Sequence, residues 1–589
     1  MTVVHPKVDV VTMGAGWTAA IIAWKLTNAG RSVVSLEQGP TRYADPDFAW
    51  NHDSLRYSVR KAMMQNISEE TWTWRPDSRS PSLPMRRFGA FHPGQGVGGS
   101  AAHWSAMLWR FTPYDFNYRS YYVERYGEEK LPEGSTVRDW PVSYEELEPY
   151  YDAFEYDIGA SGRSGNLRGE LIPGGNPFEG PRSRPFPNPP LDSTIPSYIF
   201  ADAARGLGYH PFPQPSGILS RAYTDPFGRT RSSCLYCGFC TRFGCEVDAK
   251  STGITTHTPL ALQSGRYRIR AHAKVIGVET NDQGLATGLT YVDQLTGEEH
   301  FQPAEVVVLA GYTLSNVRML LLSRSREHPD GIGNDRGQLG MNCTHQIWDS
   351  PATGVFEGRR FNLYMGNTST LQVIYDFYGN AIDHGEVDFI GGSSAFSTIG
   401  EREPVTSVGG MPVTGGKRWG REWKEAMRRN WDSYVPVTIQ GESPAYRWFY
   451  YDLDPNYKDV YGQPLLRYTF DWTDNERNLY RFMRDRTAQI LREMGPTSSS
   501  TKDEMPDYNI HTYNSTHMTG GAIMGRDPGD SVTNKYGQVW DTPNVFVTGA
   551  ALYPQNPAAN PTGTLAALAY MTGDAMSRRY FDDPAELLT

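Results

Sequence analysis

Four of the five cysteines in this 589-residue chain fall within one short stretch. Cys234, Cys237, Cys240 and Cys245 give the spacing C-x2-C-x2-C-x4-C, with Gly238 and Gly244 between them. Thiolates spaced this way wrap a compact loop around one centre, and the run is close to that of the ferredoxins, which predicts an iron–sulfur cluster. Zinc held by all four thiols and two local disulfides stay open as alternatives. Cys343 stands alone and reads as a core residue.

A second site lies at the N-terminus. Gly14-Ala15-Gly16-Trp17-Thr18-Ala19 is a G-x-G-x-x-A turn preceded by the apolar run Val8 to Val11 and followed by a helical run, Ala20 to Ala29. Gly14 permits the tight turn, Gly16 lets backbone approach a pyrophosphate, and Ala19 lets helix pack on strand. Ser32 to Leu36 reads as the next strand, and Glu37 at its end sits where a carboxylate accepts ribose hydroxyls. The pattern predicts a bound dinucleotide and does not choose between FAD and NAD.

These sites need a large scaffold to position them. The composition is 39% hydrophobic and 21% charged, with 59 Gly and 41 Pro, as in a loop-rich enzyme with a sizeable core. A net charge of -10 gives no reason to bind nucleic acid or an anionic lipid surface. Val8 to Trp24 is apolar but lacks a basic leader and contains the glycine turn, so it is not read as a signal sequence. The longest apolar run, Val306 to Leu322, is broken by Tyr312, Ser315, Asn316 and Arg318, so no membrane span is expected.

A second glycine loop, Gly94-Gln95-Gly96-Val97-Gly98-Gly99-Ser100-Ala101-Ala102-His103-Trp104, lies well downstream of the first. With Gly549-Ala550 and Asn560-Pro561-Thr562 near the C-terminus, it resembles the flavin motifs of the glucose-methanol-choline (GMC) oxidoreductases. Ala273 to Val278 is similar to that family's adenine-side strand, which brings in Val275, and Val306 to Gly311, with Ala310, to the strand that returns to the cofactor. Gly340 to His345 is similar to its G-x-N-x-x-H element.

The resemblance implies FAD and an α/β fold: a Rossmann-like FAD domain built from separated segments, and a substrate domain with an antiparallel sheet. The expected boundaries are 1–115, 221–345 and 501–589 for the FAD domain, 116–220 for a connecting substrate segment and 346–500 for the substrate domain proper. Gly98, Gly99, Ser100, Gly549, Ala550 and Thr562 are expected at the cofactor. His103 has the spacing at which some members attach flavin covalently, and plain packing against the ring fits equally well. His517 matches the catalytic histidine, with His511 as the decoy, and Asn560 matches its His or Asn partner. Imidazole can accept the substrate proton whereas an amide can only position.

The cysteine insert resembles the flavoprotein subunits of bacterial gluconate 2-dehydrogenase and related sugar dehydrogenases, which pass electrons to a cytochrome c. That likeness implies oxidation of a sugar or sugar acid and a 3Fe-4S or 4Fe-4S centre. It also implies a small partner subunit carrying the export signal, a membrane-anchored multihaem cytochrome, and work at the periplasmic face of the inner membrane. A glucoside 3-dehydrogenase, a glucose or polyol dehydrogenase, and an oxygen-using oxidase with structural zinc are the alternatives. Trp104, Trp109 and Arg110, near the flavin loop, suit sugar stacking or carboxylate binding.

Overall fold

The computed structural model describes residues 2–43, 46–48, 53–366, 369–397, 419–584 and 587. The predicted strand–turn–helix is present as strand Val8–Met13, helix Trp17–Asn28 and strand Val33–Leu36. The helix starts three residues earlier than expected, at Trp17, because Gly16 rather than Ala19 is its N-cap. Its buried face carries Ala19, Ala20, Ile21, Ile22, Ala23 and Leu26, and it packs against helix Thr562–Ala575.

Parallel pairing runs from Tyr267–Arg270 through Val33–Leu36 and Val8–Met13 to the long strand Glu299–Leu309, with Val545–Val547 on its other side. Buried on both faces, these strands read as continuous apolar runs such as Val306-Val307-Val308-Leu309 rather than as alternation. The first half of Glu299–Leu309 instead closes an antiparallel meander with Ala286–Asp293 and Ala273–Thr280. That strand therefore joins the parallel and antiparallel parts of one eight-stranded sheet, and its C-terminal end delivers Ala310 to the glycine turn.

A second sheet of six strands is antiparallel throughout, in the order Ser498–Thr501, Ile347–Val355, Tyr434–Gly441, Ser393–Ser397, Gln372–Ile374 and Phe212–Pro213. The 20-residue helix Asp474–Glu493 covers it, opened by a Thr473–Glu476 capping box. The stretch expected to supply an antiparallel sheet thus does so, apart from 398–418, which lie outside the described residues. A third sheet was not expected: Trp72–Arg75, from the N-terminal segment, pairs in parallel with Pro464–Thr469. Among the described residues, no helix is long and apolar enough to cross a membrane.

Candidate active site

A cavity of about 330 Å³ lies at the C-terminal ends of the parallel strands, with Met13, Leu36 and Ala310 on its wall. Three helices, Trp17–Asn28, Thr313–Leu322 and Thr562–Ala575, have their first residues on its wall. Helix N-termini carry partial positive charge and unpaired N–H groups, so the cavity favours an anionic ligand.

At one end Gly14, Gly16, Glu37, Gly99, Ser100, Val275 and Ala310 line the wall. A Cβ on Gly14, whose φ is +95°, would meet the Ala310 carbonyl oxygen at 2.9 Å, and one on Gly99 would meet the Gly16 Cα at 3.2 Å. Two glycine loops are thus pressed together with only backbone between them and the cavity. Glu37 ties them: its carboxylate accepts from the backbone N–H groups of Ala15 at 3.1 Å, Gly39 at 2.9 Å and Gly96 at 3.0 Å. Two predicted residues do not reach the wall. Ala19 is buried inside its helix, and Gly98 shapes the turn, donating its N–H to the Ala15 carbonyl at 2.8 Å.

At the other end are His517, Asn560, Thr562, Gly549 and Ala550. His517 and Asn560 meet, with Asn560 Nδ2 3.3 Å from His517 Nε2. On its far side, His517 Nδ1 lies 2.5 Å from Gln346 Oε1. Trp109 Nε1 donates to Asn560 Oδ1 at 3.0 Å. Its enclosed position, with a smaller effect of His345, lowers the His517 pKa to about 3, so the imidazole is neutral at physiological pH. His511 is exposed and off the cavity wall.

Comparison with known proteins fits this geometry. Residues 452–569 match the family model described as GMC oxidoreductase. The chain is 38% identical over 591 aligned residues to the gluconate 2-dehydrogenase flavoprotein of Pantoea cypripedii, covering 99% of this chain and 95% of that one. The chain belongs to the GMC oxidoreductases. It is also 30% identical to the 2-methyl-1,2-propanediol dehydrogenase of Mycolicibacterium austroafricanum, across 99% of this chain and 97% of the relative. The fructose dehydrogenase large subunit of Gluconobacter japonicus is 27% identical, across 96% and 97%. Among solved structures, pyridoxine 4-oxidase from Mesorbium loti shares the fold, with a TM-score of 0.57 at 15% identity over 98% of this chain and 99% of that one.

As a GMC oxidoreductase the chain is an FAD-dependent oxidoreductase acting on alcohol groups. The cavity fits that cofactor, since the glycine cradle leaves no room for a Cβ and His103, on the same wall, has a buried Nε2 with no hydrogen-bond partner. Burial, with Lys250 adding to it, lowers the His103 pKa to about 3 and keeps its ring neutral.

The cysteine loop of this GMC oxidoreductase packs directly on the flavin loop. Arg242 donates its backbone N–H to the His103 carbonyl at 2.7 Å, and Lys250 Nζ donates to the carbonyls of Trp104, Cys240 and Phe243 at 3.0, 2.8 and 2.7 Å. Cys234 Sγ accepts from the Tyr236 N–H at 3.3 Å, as a thiolate ligand would. Burial raises the Cys234 pKa to about 11, with repulsion from Cys245 and Cys237 added, and raises Cys237 and Cys240 as well. All five cysteines are free in this structure. Among the described residues no three His, Cys, Asp or Glu side chains form a group able to hold a metal ion. The donor chemistry suits a cluster, but the thiols as placed are not a closed ligand set. Cys343 is buried core, as expected.

Arg110 does not serve the cavity. It is buried in an ion network with Glu148 and Glu155, each at 2.9 Å. Of the cations on the wall, Lys274 and Arg318 are paired with Glu70, whereas Arg242 has a buried Nε with no hydrogen-bond partner and forms no ion pair among the described residues. Its φ of +76° places a non-glycine residue in the strained left-handed region, as often happens at functional positions. Trp104 lines the cavity, and Trp109 acts one step back, through Asn560. The sequence reading also missed Gln346, whose one signal is that it follows His345 of the G-x-N-x-x-H element.

Proposed function

We propose that the enzyme is a dehydrogenase that oxidises a secondary or hemiacetal alcohol of a sugar or sugar acid, with His517 as general base. The observation that carries this is the His517–Asn560 contact at 3.3 Å on the wall of a cavity built for a dinucleotide. Bound FAD supplies the hydride acceptor. His517 Nε2, which accepts from Asn560 Nδ2 before substrate binds, takes the hydroxyl proton as the C–H hydride leaves, and the product is a carbonyl. Asn560 Nδ2 steadies the oxygen as negative charge develops on it. The unpaired Arg242 guanidinium supports a carboxylate-bearing substrate, in keeping with the gluconate 2-dehydrogenase relative.

Val275 and Ala310 on the wall, with Glu37, support seating of the adenosine half; Ser100, Gly549, Ala550 and Thr562 support the rest of the cofactor. The cysteine loop, bonded to His103, supports an iron–sulfur centre on Cys234, Cys237, Cys240 and Cys245, which would supply a one-electron step out of the cavity. A cytochrome acceptor, a small export-signal subunit and a periplasmic location follow from the same likeness, and the word "subunit" in the fructose dehydrogenase name supports partner chains.

The test is single-turnover flavin reduction by gluconate and neutral sugars. His517→Ala is expected to keep its flavin and lose at least ~100-fold in reduction rate. Wild-type reduction in that variant would remove His517 from the mechanism. Iron analysis and low-temperature EPR on anaerobically purified protein test the cluster, and zinc without iron would refute it.

A further inference from the structure

We infer that Gln346 and Gln440 are positioning residues that fix the proton on His517 Nδ1 and hold the lone pair of Nε2 toward the cavity. The inference rests on the proposed role of His517 and explains why its reactive nitrogen is Nε2.

An isolated imidazole has two tautomers, and only one is useful here. The amide of Gln346 decides between them. Its Nε2 donates to two backbone carbonyls, Pro557 at 2.5 Å and Ala559 at 3.0 Å. Neither carbonyl can donate, so a flipped amide would set oxygen against oxygen twice. Its Oε1 is therefore the atom facing His517 Nδ1 at 2.5 Å, and an acceptor there requires Nδ1 to carry the hydrogen. His517 Nε2 is left as an acceptor.

Gln440, on the strand Tyr434–Gly441, fixes both halves of the pair at once. Its Nε2 donates one hydrogen to Gln346 Oε1 at 2.8 Å and the other to Asn560 Oδ1 at 3.2 Å. With Trp109 also donating to that oxygen, the Asn560 amide must turn its Nδ2 toward His517 Nε2. Both glutamines are buried, so no water competes for these bonds. Among the described residues, the one titratable group whose charge reaches His517 is His345. His345 is fully committed, donating from Nε2 to the Ser515 carbonyl at 2.7 Å and accepting at Nδ1 from Tyr508 at 2.8 Å. No carboxylate among the described residues assists His517, so the neutral amide sets its tautomer while burial keeps its basicity low.

The experiment compares Gln346→Leu, Gln346→Glu and Gln440→Leu with wild type, each with flavin bound, by the pH dependence of flavin reduction. Wild type is expected to show no acid limb above pH ~5. Gln346→Leu and Gln440→Leu are expected to reduce flavin at least ~tenfold more slowly with little change in substrate affinity. In Gln346→Glu one carboxyl oxygen still accepts from Nδ1 and keeps the tautomer, while the other, set against the Pro557 and Ala559 carbonyls, holds the acid's proton. When that proton is lost the carboxylate stabilises the imidazolium, so the rate climbs with pH and a limb appears that wild type lacks. Should a leucine variant not hold flavin, the limb in Gln346→Glu decides alone. An unmoved pH profile in Gln346→Glu, or wild-type rates in the leucine variants while His517→Ala is inactive, would overturn the inference and leave the base intact. An active His517→Ala would remove the reading beneath it.

Discussion

Glu70 is the residue whose removal should cost the fold most for the smallest chemical change. It is buried on the cavity wall, paired with Lys274 and, at 2.8 Å, with Arg318, which in turn pairs with Asp459 at 2.7 Å. Lys274 belongs to the meander of the nucleotide sheet, Arg318 to helix Thr313–Leu322, and Asp459 follows strand Tyr450–Lys458 of the third sheet. The cluster thus joins the two halves of the molecule. Burial alone would raise the Glu70 pKa, but Lys274 and Arg318 outweigh it and lower it from 4.5 to about 2. At about 1.4 kcal/mol for each pH unit, that preference for the ionised form amounts to roughly 3 kcal/mol. A depressed carboxylate contributes stability that is present above pH ~4.5 and lost as pH falls toward ~2. Glu70→Gln keeps the shape and removes the charge. Lys274 then retains the Gln38 amide oxygen at 3.1 Å, and Arg318 retains Asp459. Breaking one partner out of a buried ion pair costs about 3–5 kcal/mol, in agreement with the pKa argument. Urea denaturation of the flavin-loaded enzyme at pH 7, followed by tryptophan fluorescence, should therefore show a loss of about 3 kcal/mol, shrinking as pH is lowered below ~4. The double variant Glu70→Leu with Lys274→Met, which removes both charges, should recover much of it. A loss under about 1 kcal/mol at pH 7, or one that does not shrink with acid, would refute the reasoning.

Three further outcomes are expected. Flavin should stay with the acid-precipitated polypeptide and be released in His103→Ala, because His103 lines the cavity and its buried Nε2 has no hydrogen-bond partner; flavin free in the wild-type supernatant would leave His103 a packing role. Arg242→Ala should weaken binding of a sugar acid at least ~tenfold while sparing a neutral sugar, as steady-state KM values for the two classes would show; equal losses would place Arg242 on the cofactor instead. Trp109→Phe removes one donor to Asn560 Oδ1 and leaves Gln440, so flavin reduction should fall about fivefold, in line with about 1 kcal/mol for a hydrogen bond; an unchanged rate would show that Gln440 alone holds the amide.

What the sequence made legible was backbone need. Gly14 and Gly99 have to be glycine because a Cβ at either meets backbone, and such constraints leave a local mark. The same holds for the apolar strands around them, and for Glu37 at the end of one, although its carboxylate binds both glycine loops rather than waiting for ribose alone. The residues that were missed owe their positions to pairing across the chain. Gln440 reaches the site only because Tyr434–Gly441 pairs with Ile347–Val355 and sets Gly441 opposite Ile347. Trp72–Arg75 gave no sign that it would pair with Pro464–Thr469. Arg110 and Arg242 show the limit most directly. Both are arginines near flavin-loop segments, and what separates them is that Glu148 and Glu155 pair with one and no described carboxylate pairs with the other.

The two groups matched by motif, His517 and Asn560, are half of a closed ring. His517 Nδ1 bonds Gln346, Gln346 bonds Gln440, Gln440 bonds Asn560, and Asn560 returns to His517 Nε2. The loop that carries Asn560 also supplies the Pro557 and Ala559 carbonyls that orient Gln346, and the Asn556 side chain holds the His517 carbonyl at 2.6 Å. The members of such a ring are coupled, because each amide is held in part by the next. Losses from Gln346→Leu and Asn560→Ala should therefore not add: once either bond is gone, the second substitution removes an orientation already lost. A double variant as slow as the product of the two single effects would show two independent contacts, and no ring.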